Sequence, residues 1–164
     1  MERAGRGRSS PYAAARRRPG RRRPRAGARS QRQEPALDLR GVTVLVVEDD
    51  EDSGELLRYI VESFGATAVL AADGEEAIRR LSGIKVDLIL CDLLMPRLDG
   101  FGFINWLRRD PKLSRTHVIA VTALGTDADF KRTWDAGFNG HLVKPIDYGT
   151  VASQLERIFW AHPG

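Results

Sequence analysis

Five short apolar runs, at 42–47, 67–71, 86–91, 117–121 and 140–143, alternate with segments whose apolar residues recur at helical spacing. That alternation predicts right-handed crossovers and a parallel sheet covered by helices on both faces. The runs are nearly unbroken in Val, Ile, Leu and Ala, the composition of strands buried on both sides. Between them, Leu56, Leu57, Ile60, Val61 and Phe64 mark a first helix ended by Gly65. Asp73-Gly74 opens a second, with Ala77, Ile78 and Leu81 on one face. Asp99-Gly100 opens a third, with Ile104 and Leu107 inward and Asp110-Pro111 at its end. A fourth is expected over 127–136, stopping at Gly137, and a fifth over 147–160 with Val151, Leu155 and Ile158 together.

In open α/β sheets, ligands bind beyond the carboxyl ends of the strands. The polar residues that end these apolar runs are therefore the candidates for chemistry. Glu48-Asp49-Asp50 follows the first run, Asp92 the third and Thr122 the fourth, while Lys144-Pro145 follows the fifth. Crowded carboxylates repel one another, and a divalent cation relieves that repulsion. Mg²⁺ takes oxygen ligands and keeps several waters. The expected arrangement is Mg²⁺ between Asp49 and Asp92, with the backbone carbonyl of Leu94 as a third ligand and Glu48 acting through water. Asp92 would attack a phosphorus centre to give an aspartyl-phosphate, with the metal and Lys144 neutralising the developing charge. Thr122 would donate its hydroxyl to the new phosphoryl group. Asp50 and Asp52 read more simply as caps of the first helix.

The charge of the chain is divided. Residues 1–35 hold 12 of the 26 basic residues, all Arg, against two acidic ones, leaving 14 basic and 20 acidic residues in the remainder. The pI near 9.6 is thus a property of the N-terminal segment, and the acidic remainder argues against a general nucleic-acid surface on the domain. Residues 1–36 read as a disordered Arg-rich tail and 37–161 as the folded domain. The tail could serve as a polyanion-binding arm, as a transit peptide or as sequence upstream of a misplaced start, and the plainest reading is no dedicated role. Cys91 is the only cysteine, sits in an apolar run and reads as a buried, inert thiol in a reducing compartment. No apolar run reaches membrane-spanning length and no signal peptide is visible, so a cytoplasmic, non-inserted protein is expected.

Taken together, Val-Leu-Val-Val-Glu-Asp-Asp at 44–50, Asp-Leu-Ile-Leu-Cys-Asp-Leu-Leu-Met-Pro-Arg-Leu-Asp-Gly at 87–100, Val-Thr-Ala-Leu at 121–124 and His-Leu-Val-Lys-Pro at 141–145 resemble a response-regulator receiver domain. The intervals agree as well, with 30 residues from Asp92 to Thr122 and 22 from Thr122 to Lys144. The resemblance implies a flavodoxin-like (βα)5 fold with strand order 2-1-3-4-5. It implies Asp92 as phosphoacceptor, Glu48 and Asp49 as the acidic pair, Thr122 as switch hydroxyl and Lys144 as the phosphate-facing lysine, followed by a cis Lys144-Pro145 bond. It further implies a histidine kinase or phosphotransfer protein as donor, and a downstream target on the face made by the fourth helix, fifth strand and fifth helix. Tyr148 and Trp160 could contribute to such a face. The chain then reads as a stand-alone receiver or as part of a hybrid kinase, and as a signalling domain rather than an enzyme.

Two positions depart from the family's pattern. His141 stands where an aromatic switch residue is common; it reads as a half-exposed strand-end side chain, or as a switch that follows Thr122 and adds pH sensitivity. Leu94 and Leu124 stand where polar groups often help a water attack the acyl-phosphate, so slow self-dephosphorylation is expected. A hydrolase of the aspartyl-phosphate type would need a second acid at position 94. A pseudo-receiver that never takes phosphate would fit better had Asp49, Asp92 or Lys144 been lost.

Overall fold

The structure, a computed structural model, describes residues 37–161. The readings made for the Arg-rich segment 1–36 lie outside the described residues. The elements run β1 (Thr43–Val47), α1 (Glu51–Ser63), β2 (Thr67–Ala71), α2 (Gly74–Leu81), β3 (Leu88–Asp92), α3 (Gly100–Arg109), β4 (His117–Thr122), α4 (Asp127–Ala136), β5 (Gly140–Val143) and α5 (Tyr148–Ala161). All neighbouring strands pair in parallel, in the order β2-β1-β3-β4-β5. This is the doubly wound flavodoxin-like architecture, with its switch in strand order between β1 and β3.

The three central strands each supply two cores because successive side chains point to opposite faces. Val44 and Val46 of β1, with Leu88, Leu90, Ile119 and Val121, meet Leu57, Ile60 and Val61 of α1 and Val151, Leu155 and Ile158 of α5. Leu45, Val47, Ile89, Cys91, Val118 and Ala120 meet Ala77 and Leu81 of α2 and Phe103, Ile104 and Leu107 of α3. The fourth helix is the exception. Its one buried residue is Thr133, so almost no apolar surface holds it to the sheet.

Loop chemistry explains where the helices begin. Asp50, Asp73, Asp99 and Thr126 each accept a backbone N–H from the third residue of the helix that follows. Asp147 does the same for Thr150 at the start of α5. Asp50 is thus a cap as expected. Asp52 is not; it lies inside the first turn, where its charge complements the helix dipole without capping. Gly65 follows α1 with φ +98, a left-handed conformation that closes the helix as expected.

The strand limits differ from the apolar runs in a consistent way. The third strand is Leu88–Asp92 rather than 86–91, and the fourth reaches Thr122. Asp92 pairs with Val121 and Thr122 with Val143, so these polar residues are themselves the last rungs of the ladder. At the opposite edge, the Asp87 carboxylate accepts the Thr43 N–H at 2.9 Å and replaces a rung, which delays the start of β3.

Candidate functional site

Because the strands are parallel and in register, Glu48, Asp92, Thr122 and Lys144 emerge at one edge of the sheet. One carboxylate oxygen from each of Glu48, Asp49 and Asp92 lies within 4.8 Å of the other two. Glu48 and Asp92 are buried, at 6% and 5% exposure, whereas Asp49 is open to solvent. Lys144 enters from the end of β5, with its Nζ 3.2 Å from Asp92 Oδ2 and 2.9 Å from Glu48 Oε1. Its position is fixed from the backbone, where the Lys144 N–H donates to the Thr122 carbonyl at 2.8 Å. The Lys144-Pro145 peptide is cis.

Three carboxyl groups against one ammonium leave an excess of negative charge. Burial, reinforced by Asp92, pushes the Glu48 carboxyl up to about 7, despite the Lys144 ammonium and the Asp50 N–H that donates to its Oε2 at 3.0 Å. Burial alone would depress Lys144, but Glu48 and Asp92 outweigh it and hold the ammonium above its ordinary value. Glu48 Oε1 is buried and lies 2.9 Å from the Lys144 ammonium without an aligned hydrogen bond to it. An all-oxygen donor set with more carboxyl groups than cations suits a hard divalent cation such as Mg²⁺.

The raised Glu48 has a consequence for the metal-free protein. A carboxyl lifted by its folded surroundings favours the folded state while it is protonated. That contribution is complete below the ordinary glutamate value of 4.5 and is lost as pH rises through about 7. In EDTA, the melting temperature of the wild type should fall between about pH 5 and pH 8 more steeply than that of Glu48→Gln. Parallel slopes for the two proteins would discount Glu48 as the source.

The remaining candidates occupy three different settings. Thr122 is fully buried at the tip of β4, and its hydroxyl oxygen accepts the Leu124 N–H at 3.2 Å. The Leu94 N–H donates to Asp92 Oδ1 at 3.2 Å, while the Leu94 side chain is 55% exposed beside the site. Leu124 is half-buried in the loop after β4. His141 is held away from the acidic cluster. Its Nδ1 is bonded to the Thr133 hydroxyl at 2.9 Å, its Nε2 to the Leu124 carbonyl at 2.8 Å, and its ring lies edge-to-face on Phe130. It is half-buried as expected, but it also ties β5 to α4 and to the loop that follows Thr122. Cys91 is fully buried, and burial raises its thiol well above the ordinary value, so it is inert.

The structure adds residues that no sequence signal marked. Arg97 has φ +63, the one left-handed non-glycine among the described residues, and its guanidinium binds Asp73 across from the β3–α3 loop. Asp73-Gly74 had pointed only to a helix start. Arg108, at the end of α3, reaches a set of backbone carbonyls beneath the sheet.

Comparison with known proteins agrees with this geometry. The family model for the response regulator receiver domain matches residues 44–156, more than half of the chain. The chain belongs to that family. Polar-differentiation response regulator DivK of Brucella anthropi is 34% identical to this receiver over 104 residues, covering 63% of this chain and 85% of DivK. Regulator of RpoS from Escherichia coli K12 is 36% identical over 108 residues, 66% of this chain. This receiver spans only 32% of that relative's length, so the remaining parts of such proteins have no counterpart in the match. Among solved structures, the receiver domain of a sensor histidine kinase from Pseudomonas aeruginosa PAO1, with magnesium ion coordinated in its active site cleft, superposes with a TM-score of 0.65. The two are 30% identical, over 71% of this chain and 95% of that one. Among the described residues no helix is long and apolar enough to cross a membrane.

Proposed function

We infer that this receiver takes a phosphoryl group from a histidine kinase or phosphotransfer protein onto Asp92. The observation that carries the reading is the buried Asp92 carboxylate, 3.2 Å from Lys144 and clustered with Glu48 and Asp49 at the strand tips. Asp49, Asp92 and the Leu94 carbonyl would hold Mg²⁺, with Glu48 contributing through water; the ion supplies neutralisation of phosphoryl charge. A carboxylate oxygen of Asp92 forms the new bond to phosphorus as the bond from phosphorus to the donor's imidazole nitrogen breaks. Lys144 offsets the charge on the transferred oxygens, and the Thr122 hydroxyl donates to one of them. Movement of Thr122 pulls on the loop through Leu124, and His141 links that loop to α4. Phosphate then shifts the balance between two packings of α4.

The face made by α4, β5 and α5 carries exposed Phe130, Trp134, Val143 and Trp160, and it is where we place the downstream partner, whereas Tyr148 turns the other way and stacks on Phe64 after α1. The test of the whole reading is mass spectrometry after incubation with Mg²⁺ and acetyl phosphate. A gain of one phosphoryl group that EDTA prevents is expected, and an unchanged mass would defeat the proposal.

Loss of the phosphoryl group should be slow. The apolar Leu94 and the half-buried Leu124 leave an attacking water no side-chain partner at those positions. Leu94→Asn should accelerate dephosphorylation by roughly tenfold, below the ~100-fold that a fully positioned proton-transfer group supplies. A time course in which the variant is slower than wild type would contradict this.

A further inference from the structure

The loop from Asp92 to α3 carries the Leu94 carbonyl, and it is fastened in an uneven way. At its end, the Gly100 N–H donates to the Leu93 carbonyl at 3.0 Å. Met95 and Leu98 lean on the core beneath it, but such contacts are non-directional and tolerate sliding. Between its two ends, where the Leu94 N–H meets Asp92 and the Gly100 N–H meets Leu93, the directional side-chain fastening is Arg97. Its Nε donates to Asp73 Oδ2 at 2.9 Å and its Nη2 reaches the same oxygen. Asp73 is buried, and its other oxygen accepts the Glu76 N–H at 2.8 Å as the cap of α2. The loop and the helix start are also in direct contact, since a Cβ added to Gly74 would lie 2.8 Å from the Leu98 carbonyl oxygen.

Stability alone gives no reason for this arrangement. Arg97 is 57% exposed, so solvent screens its end of the pair, and the buried Asp73 carboxylate already accepts the Glu76 N–H without it. Its left-handed backbone is one that glycine adopts freely and arginine does not. A strained conformation held by a fork on a buried capping carboxylate, three residues from a proposed ligand, indicates a site whose geometry is being set. We propose that Arg97 is a positioning residue: through Asp73 it fixes the β3–α3 loop so that the Leu94 carbonyl faces the cation bound by Asp49 and Asp92. This rests on the Mg²⁺ role inferred above. It makes the start of α2 the outer support of the metal site.

The sign of the effect separates this from electrostatics. Removing the Arg97 charge near a cation site should tighten cation binding by Coulomb's law, whereas loss of positioning weakens it. Mg²⁺ titration of the full chain by calorimetry should give a dissociation constant about tenfold higher for Arg97→Gly, in the range found when a ligand's support is removed. The melting temperature of that variant in EDTA should be unchanged or raised, because glycine relieves the backbone. Asp73→Asn keeps a capping side chain and leaves the loop sequence intact; it should weaken Mg²⁺ in the same direction. Arg97→Gly binding Mg²⁺ as tightly as wild type, while Asp49→Asn loses it, would overturn the positioning role and leave the metal site standing. A wild type that binds no Mg²⁺ would overturn both.

Discussion

Asp92→Asn takes up no phosphoryl group from acetyl phosphate in Mg²⁺, under conditions in which the wild type is modified. An amide has no anionic oxygen to attack phosphorus, so the loss is expected to be complete rather than graded. The substitution is otherwise conservative. Asparagine retains one oxygen, which can serve either the contact that Lys144 makes with Asp92 Oδ2 at 3.2 Å or the Leu94 N–H that Oδ1 accepts, so one of these two contacts is given up. It also relieves crowding, because Asp92 is one of the groups that push Glu48 up to about 7. The variant should therefore melt at or above the wild-type temperature in EDTA at neutral pH, which separates a dead site from an unfolded one. Phosphate appearing on Asp92→Asn would move the acceptor to another carboxylate, with the solvent-exposed Asp49 as the first to examine.

A second large effect is expected far from that site. Arg108 is half-buried, and burial lowers its affinity for a proton, yet no carboxylate faces it among its hydrogen-bond partners. Instead, Nε and Nη2 donate to the Gly137 carbonyl at 3.0 and 2.8 Å, and Nη1 to the carbonyls of Ser114 and Thr116 at 3.0 and 2.7 Å. Nη2 also reaches Asn139 Oδ1 at 2.9 Å, an oxygen that accepts the Val118 N–H as well. One side chain thus gathers the end of α3, the α3–β4 loop and the α4–β5 loop beneath the sheet. Arg108→Met keeps the apolar stem, removes the guanidinium and strands several acceptors together. Charge-assisted bonds contribute roughly 1.5–3 kcal/mol each and are not additive, so a loss of about 3–5 kcal/mol is expected from urea unfolding. Arg108→Lys should recover little, since an ammonium cannot span three carbonyls on two separate loops. A change under about 1 kcal/mol would mean that water replaces the guanidinium.

How far the sequence was informative follows the range of the interactions. The strands were legible because burial on two faces demands unbroken apolar runs, and the site was legible because parallel pairing carries the residues after those runs to one edge. The exact strand ends were not, since Asp92 and Thr122 are polar and yet complete the ladder. Phe103 was passed over although it is fully buried, because its neighbours Ile104 and Leu107 already satisfied the helical spacing. Arg97 and Asp73 lie 24 residues apart, and nothing in either residue type announces a left-handed backbone. Arg108 escaped for a related reason, as did the ties of His141, a residue the sequence did mark, to α4 and to the loop after β4. Their partners include backbone carbonyls, which every residue possesses and no sequence distinguishes.

The sparse footing of α4 sets the scale of stimulus to which the molecule can respond. Shifting α3 would mean exposing Phe103, Ile104 and Leu107 to water, at about 1.5–3 kcal/mol for each side chain. That would exhaust most of the stability of an ordinary domain, about 5–15 kcal/mol. Displacing α4 requires releasing the Thr133 hydroxyl and the Phe130 ring from His141 and the Arg132 guanidinium from the Phe101 ring, without exposing a fully buried apolar side chain. On the function proposed above, a single covalent oxyanion would supply that much work, and the output would be carried by the helix the interior grips least. Backbone amides of α4 should accordingly exchange with deuterium well before those of α3.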